Sequence, residues 1–363
     1  MADSLKDIYT EEFLTNFSQS IIEQEVSFDS ERFIKELMDQ EWPNLSVRSR
    51  MKKIALLLGQ HLPGTYDQQL PILLSLHQKH QGFAYLFFPD FISIYGLAPN
   101  HFDLSLDYLK ELTAYSSSEF AIREFITLEP ERVLKLLLEW STDDNEHVRR
   151  LASEGCRPLL PWGGHLDYLI PRPDLVLPIL NNLKADSSLY VKKSVANHLN
   201  DISKSHPKLV VNTCRGWLGK SDHTDWIIKK ACRTLIKKAD PDALALFGYE
   251  SPGSTFDVSS ASISMAESLI AIGEKSQFSY DIATTIHGQK PLRLEYGIDY
   301  VKANGKTTMK KFYLAESATK NNFHGEKTID FKNLTTRIHY PGEHSLALFL
   351  NGQMIAQTHF ILE

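Results

Sequence analysis

Glu146-His-Val-Arg-Arg-Leu-Ala-Ser-Glu154 is echoed by Leu189-Tyr-Val-Lys-Lys-Ser-Val-Ala-Asn197 and again by Trp226-Ile-Ile-Lys-Lys-Ala-Cys-Arg-Thr234. Each stretch follows a proline-led segment: Pro130-Glu-Arg-Val-Leu, Pro173-Asp-Leu-Val-Leu and Pro207-Lys-Leu-Val-Val. The three prolines start units 43 and 34 residues apart. Two helices per unit at that period is the mark of a HEAT-like solenoid. Proline suits the first turn of a helix, where its missing N–H has no partner to lose.

Outward from these repeats the chain changes period. Residues 1 to about 248 carry apolar residues at three- and four-residue spacing, as in Phe33, Ile34, Leu37 and Met38. After Ser251-Pro-Gly-Ser254 the period becomes two, as in Leu292-Arg-Leu-Glu-Tyr-Gly-Ile-Asp-Tyr300. Asn304-Gly and Asn351-Gly lie between apolar-rich runs, the strongest short hairpin signal. Tyr340-Pro-Gly-Glu-His344 reads as the corner before a late strand. The expected fold is therefore multidomain: an all-α HEAT-like-repeat solenoid over 1–248, followed by an all-β immunoglobulin-like sandwich over 249–363.

Composition narrows the function classes. The chain has 363 residues, 42% hydrophobic and 23% charged, as ordinary globular proteins are. Three cysteines (Cys156, Cys214, Cys232) are too few for a disulfide framework and suit a reducing cytoplasm. No apolar run reaches the ~18–20 residues of a membrane helix, and the N-terminus lacks a signal-peptide layout. No membrane association is expected. The net charge of −6 argues mildly against a polyanion partner. Residues 187–238, however, hold eleven Lys or Arg against three Asp, a local charge of +8 that leaves −14 elsewhere. A phosphate backbone feels the local field rather than the total.

At 100° per residue, Val148, Leu151, Ala152 and Gly155 form one apolar stripe, with Arg150, Glu154 and Arg157 on another flank. The next repeat pairs the stripe Val191, Val195, Leu199 and Ile202 with the flank Lys193, Asn197, Asp201 and Lys204. Stacked repeats align these flanks into a basic face with embedded carboxylates. Glu154 and Asp201 fit stabilisation of a sugar cation in glycosidic cleavage, and they equally fit ion pairs with Arg150 and Lys204. Ser116-Ser-Ser-Glu119 fits a helix capping box. Trp162, in Leu160-Pro-Trp-Gly-Gly-His165, reads either as an exposed stacking platform or as a core anchor. The other tryptophans, Trp42, Trp140, Trp217 and Trp226, read as core. No His or Cys spacing suits a metal.

Three strings carry a resemblance: Ser117-Ser-Glu-Phe-Ala-Ile-Arg123, His147-Val-Arg-Arg-Leu-Ala-Ser-Glu-Gly-Cys-Arg-Pro-Leu-Leu-Pro-Trp162 and Tyr190-Val-Lys-Lys-Ser-Val-Ala-Asn-His-Leu-Asn-Asp-Ile-Ser-Lys204. On these the sequence resembles the AlkC family of DNA alkylation-repair glycosylases, within the HEAT-like-repeat glycosylase superfamily. One branch of that family carries an immunoglobulin-like domain, so the resemblance spans the chain. It implies a monofunctional DNA glycosylase that excises 3-methylcytosine and 3-methyladenine from double-stranded DNA. It also implies that the damaged base is reached by bending the DNA. By resemblance Glu154 and Asp201 are catalytic carboxylates, and Glu119 is a further acid at the lesion, against its capping-box reading. Trp162 is then the aromatic residue near the lesion.

Arg150, Arg157, Lys192 and Lys193 match basic groove positions, which Asn197, Lys229 and Lys230 extend. No metal and no cofactor are expected, and the chain is expected to act as a monomer in the cytoplasm, at the nucleoid when on DNA. Competing readings are a non-catalytic HEAT-repeat scaffold and a damage-binding protein without chemistry. Lys302, Lys306, Lys310 and Lys311 bracket the Asn304-Gly turn, which makes a DNA-contacting hairpin the alternative to a solvated one.

Overall fold

The structure, a computed structural model, describes residues 5–253, 256–287, 290–334 and 337–363. Residues 1–4 of the N-terminus and Ser254 of the turn-rich stretch therefore lie outside the described residues. Helices come first: α1 (Glu11–Ile22), α2 (Ser30–Leu37), α3 (Val47–His61), α4 (Tyr66–Lys79), α5 (Phe87–Tyr95), α6 (Phe102–Leu112), α7 (Ile122–Leu128), α8 (Pro130–Trp140) and α9 (Glu146–Glu154). A short hairpin, β1 (Leu159–Leu160) and β2 (Gly164–His165), precedes α10 (Leu177–Leu183), α11 (Leu189–Ile202), α12 (Pro207–Trp217), α13 (Asp222–Ala231), α14 (Arg233–Lys237) and α15 (Pro241–Leu246). The remaining strands are β3 (Phe256–Met265), β4 (Leu269–Ile270), β5 (Lys275–Ile286), β6 (Leu292–Val301), β7 (Thr307–Ser317), β8 (Asn322–Asp330), β9 (Gly342–Leu350) and β10 (Gln353–Leu362). No helix of the described residues is long and apolar enough to cross a membrane.

The repeated stretches become α9, α11 and α13, and α11 packs against both of the others. The stripes read from the sequence are the buried faces: Val148, Leu151 and Ala152 on α9, and Val191, Val195, Leu199 and Ile202 on α11. Local chemistry sets where these helices start. Asn145 caps α9 by accepting from the His147 N–H at 2.9 Å. Ser188 caps α11, and Asp186 accepts from Ser188 N–H at 2.9 Å while holding Arg149 of α9 at 2.7 Å. One carboxylate thus joins the starts of two neighbouring helices. Gly155, the residue that follows α9, has no room for a side chain because α7 lies against it; a Cβ there would sit 2.6 Å from Ile122 Cγ2.

The chain divides into two compact units, Met1–His206 with Gly216–Ala231, and Pro207–Arg215 with Cys232–Glu363. The last helical segments therefore cluster with the strands, although the change of period itself falls between Leu246 and Phe256. Packing draws this line: Val211, Leu235 and Ala243 share a small buried cluster of their own.

In the second unit, one sheet has the order β4-β10-β9-β6-β7 and the other β3-β5-β8. Pairing is antiparallel except for β10 with β4. Phe278, Phe331, Phe360, Leu294 and Leu348 belong to a shared core. Strand β6 is central and buried on both faces rather than alternating. Glu295 is buried and held by Arg293 at 2.8 Å, and a Cβ on Gly297 would meet Met309 and Phe349. The Asn351-Gly352 turn joins β9 to β10 with φ of 47° and 83°, the two left-handed residues of a type I′ hairpin. The Asn351 side chain also accepts from the Arg293 N–H at 2.7 Å and donates to the Glu250 carbonyl at 2.8 Å. Asn351→Ala is expected to destabilise the β-domain by about 1–3 kcal/mol. Urea unfolding followed by the β-sheet circular dichroism band measures this; an unchanged midpoint would contradict it.

Candidate active site

Helices α9 and α11 bring the repeat-flank side chains together inside the first unit. Arg157, just past the end of α9, is the hub. Its Nη1 donates to Glu154 Oε1 at 2.6 Å, and its Nε and Nη2 donate to Asp201 Oδ2 at 2.9 and 2.8 Å. Lys204 holds the other Asp201 oxygen at 3.0 Å. Arg150 lies 3.7 Å from Glu154 and makes a direct ion pair with Glu119. Arg150 also donates to Ser117 Oγ at 2.6 Å and stacks over the Tyr190 ring at 4.7 Å. Three carboxylates and three cations thus form one continuous network.

Burial pushes the Glu154 carboxyl up, but the Arg150 and Arg157 charges outweigh it and hold the group below its ordinary value. Burial pulls the Arg157 guanidinium down, and Glu154 and Asp201 more than restore it. Both groups are charged at neutral pH.

The carboxylates differ in access. Glu119 lines a cleft of about 610 Å³ together with Phe83, Ser117, His147, Arg150 and Tyr190. Glu154 and Asp201 are buried around Arg157, with side chains 8% and 4% exposed. The capping-box alternative for Glu119 does not form. Its carboxylate takes the Ser117 hydroxyl at 2.8 Å and Arg150, while Ser116 Oγ is bonded to His77. The ion pairs expected as the alternative for Glu154 and Asp201, with Arg150 and Lys204, are both present.

Trp162 is exposed, at 58%, so the core-anchor reading is excluded. Its ring lies 6.2 Å from Phe83 at the cleft. The turn carrying it is closed by Gly163 N–H to Leu160 carbonyl at 3.1 Å, with Pro161 second and Trp162 third at φ 65°. This is a type II turn, whose third position calls for glycine. A bulky residue held there is strained.

The basic positions separate into two groups. Lys193, Lys229 and Lys230 are exposed and Asn197 is half-buried. Arg157 and Lys192 do not face solvent as groove cations would. Arg157 is the buried hub, and Lys192 is turned into the helix seam, with Nζ 3.0 Å from His223 Nδ1 and 5.8 Å from the Trp226 ring. Trp226 is only half-buried, against the core position expected for it, whereas Trp42, Trp140 and Trp217 are core. Among the described residues no group of three or more His, Cys, Asp or Glu is placed to hold a metal.

One residue was missed. Arg123, which ends the Ser117–Arg123 stretch, is buried and donates to the Gly155, Arg157, Gly163 and Gly164 carbonyls at 2.7–3.1 Å. Nothing in its local pattern signals this, because all four acceptors are main-chain atoms more than thirty residues away.

Two outcomes follow from this geometry. Trp162→Gly should melt no lower than the wild-type chain, because relief of about 1–2 kcal/mol of left-handed strain offsets glycine's extra chain entropy of about 0.5–1 kcal/mol. A clear drop in melting temperature would make Trp162 a fold residue. For Glu154, a depressed folded pKa means stability that is present above the unfolded value and lost as pH falls through the folded one. Glu154→Gln should therefore cost about 2 kcal/mol near pH 7, with the gap to wild type closing below about pH 4. Thermal melts of both proteins from pH 3 to 8 measure it, and a gap independent of pH would refute it.

Comparison with known proteins identifies the family. Residues 111–238 match the family model described as "DNA alkylation repair enzyme", which takes in Glu119, Arg150, Glu154, Arg157, Trp162 and Asp201. Residues 259–363 match that of "Uncharacterised protein YhaZ, C-terminal Ig-like domain". The chain is 44% identical over 356 residues to "Uncharacterized protein YhaZ" of Bacillus subtilis (strain 168), covering 98% of each. It is 37% identical to the Pseudomonas fluorescens alkylpurine DNA glycosylase AlkC, solved bound to DNA containing an abasic site analog. The TM-score is 0.93 over 99% of this chain and 100% of that one. Helical region and immunoglobulin-like domain thus correspond along the whole length, and the chain belongs to the AlkC family of DNA alkylation-repair glycosylases.

Proposed function

We propose that this chain excises cationic N-alkylated bases, 3-methylcytosine and 3-methyladenine, from double-stranded DNA by hydrolysing the N-glycosidic bond. The observation that carries the reading is the convergence of Glu119, Glu154 and Asp201 on one arginine-linked cluster beside a strained, exposed tryptophan. In this reading residues 1–248 are the HEAT-like-repeat glycosylase domain and 249–363 the immunoglobulin-like domain. The chain acts inside the cell as a monomer and needs neither metal nor cofactor.

The chemistry matches the residues. N3-methylation makes the base cationic and a good leaving group, so little protonation is needed. As the C1′–N bond breaks, its electron pair neutralises the base and leaves an oxocarbenium-like sugar. Carboxylates stabilise that cation and orient the water that adds to C1′, with one proton released. Glu119, which faces the cleft, is best placed to meet the sugar. Glu154 and Asp201 fix the hub and add negative potential behind it; Lys204, half exposed, is the cation free to swing off Asp201. Trp162 offers its face to the lesion or its neighbour. Lys193, Lys229 and Lys230, with Asn197, supply contacts to the phosphate backbone.

The test is release of free 3-methylcytosine and 3-methyladenine from methylated DNA. Wild type should release both, and Glu119→Gln and Asp201→Asn should each slow single-turnover release by about a hundredfold or more. Binding of methylated DNA with no release would leave the damage-binding reading in its place. Full activity in both variants would remove these carboxylates from the chemistry.

A further inference from the structure

We propose that Arg123 is a positioning residue for Trp162, whose fork holds the Leu160–Gly163 turn in the strained form that presents the indole at the rim of the cleft. This rests on the reading of Trp162 as the aromatic residue at the lesion.

The argument begins with the strain. A tryptophan at φ 65° persists only where its surroundings over-determine the backbone. The β1–β2 hairpin is only two residues deep on each strand, so its own pairing is a weak restraint. The added restraint comes from Arg123. Its Nε donates to the Gly163 carbonyl at 3.0 Å and its Nη2 to the Gly164 carbonyl at 2.9 Å. These are the two residues that follow Trp162. Its Nη1 donates to the Gly155 and Arg157 carbonyls at 3.1 and 2.7 Å. Those lie immediately after Glu154 and at the hub arginine itself. One rigid guanidinium therefore measures out the separation between the carboxylate cluster and the indole.

Two further observations fit. A buried cation whose hydrogen-bond acceptors are carbonyls rather than a carboxylate is costly, and an apolar residue of equal volume serves packing as well. Burial pushes this guanidinium down to about 10, so it still carries its charge at neutral pH. The fork's geometry is what an apolar residue lacks. Gly163, in turn, is packed closely by both Leu160 and the Arg123 stem, which leave little room for a side chain. A Cβ there would lie 2.8 Å from Leu160 Cδ2 and 3.2 Å from Arg123 Cδ.

The experiment uses the full chain labelled with 5-fluorotryptophan, which gives one ¹⁹F resonance for each of its five tryptophans. Trp162 is assigned by the line lost in Trp162→Phe. Arg123→Lys keeps the charge and loses the fork. It should shift or split the Trp162 line and leave those of Trp42 and Trp140 in place. It should also slow single-turnover excision by about tenfold. In a Trp162→Ala background the same change should alter the rate by less than about twofold, because both substitutions then act on one element. An unmoved Trp162 line, or the same tenfold loss in the alanine background, overturns the proposal. If Arg123→Lys and Arg123→Gln both unfold the helical unit, Arg123 is a fold residue and the positioning role is lost. If the wild-type chain releases no base, the glycosylase reading fails, while the ¹⁹F measurement still decides what Arg123 does to Trp162.

Discussion

Arg157 sits where two helices of the repeat meet, and its guanidinium is buried between Glu154 and Asp201. A buried ion pair depends on both of its members, since removing either leaves an ion in a medium that solvates it poorly. Here the requirement acts across the seam between α9 and α11. Glu154 closes α9, Asp201 lies near the end of α11, and one side chain ties them. The distance between the repeats and the spacing of their carboxylates are thus a single constraint. Arg150 and Lys204 extend the same bookkeeping to Glu119 and to the cluster's exposed side.

The proposed excision of cationic bases sets opposing electrostatic needs. The protein must attract a polyanion, yet present negative charge to a sugar cation. The chain separates the two by depth. Lys193, Lys229 and Lys230 lie exposed, while Glu154 and Asp201 lie buried behind arginine. Glu119 stands between these layers, facing the cleft. An overall charge of −6 is then no obstacle to binding DNA, because the cations are concentrated on the repeat region.

Much of this was legible from the sequence, for physical reasons that differ by element. The buried stripes of α9 and α11 follow from helical period, and the hairpin at Asn351-Gly352 from the left-handed conformations those residues accept. What depended on distant partners was not legible. Lys192 shares a pattern with Lys193, and only the packing of α13 turns one inward. Glu119 satisfies a local capping pattern, but an arginine thirty-one residues away offers its carboxylate a stronger partner than a backbone amide. The strain at Trp162 is invisible in Pro-Trp-Gly-Gly, where either glycine is the natural place for positive φ. The regrouping of α14 and α15 with the strands likewise depends on tertiary contacts rather than on period.

In the proposed reaction the base leaves because it is already a cation, and the protein stabilises the sugar instead of protonating the base. The most direct measurement compares single-turnover excision of 3-methyladenine with that of a neutral isostere, in which the methyl-bearing ring nitrogen is replaced by carbon, in the same DNA sequence. The expected result is release of the cationic base and retention of the neutral one, with comparable binding of both DNAs. Equal release of the two would contradict it, because the neutral base can leave only with help from a general acid that this cluster of ion-paired carboxylates does not provide.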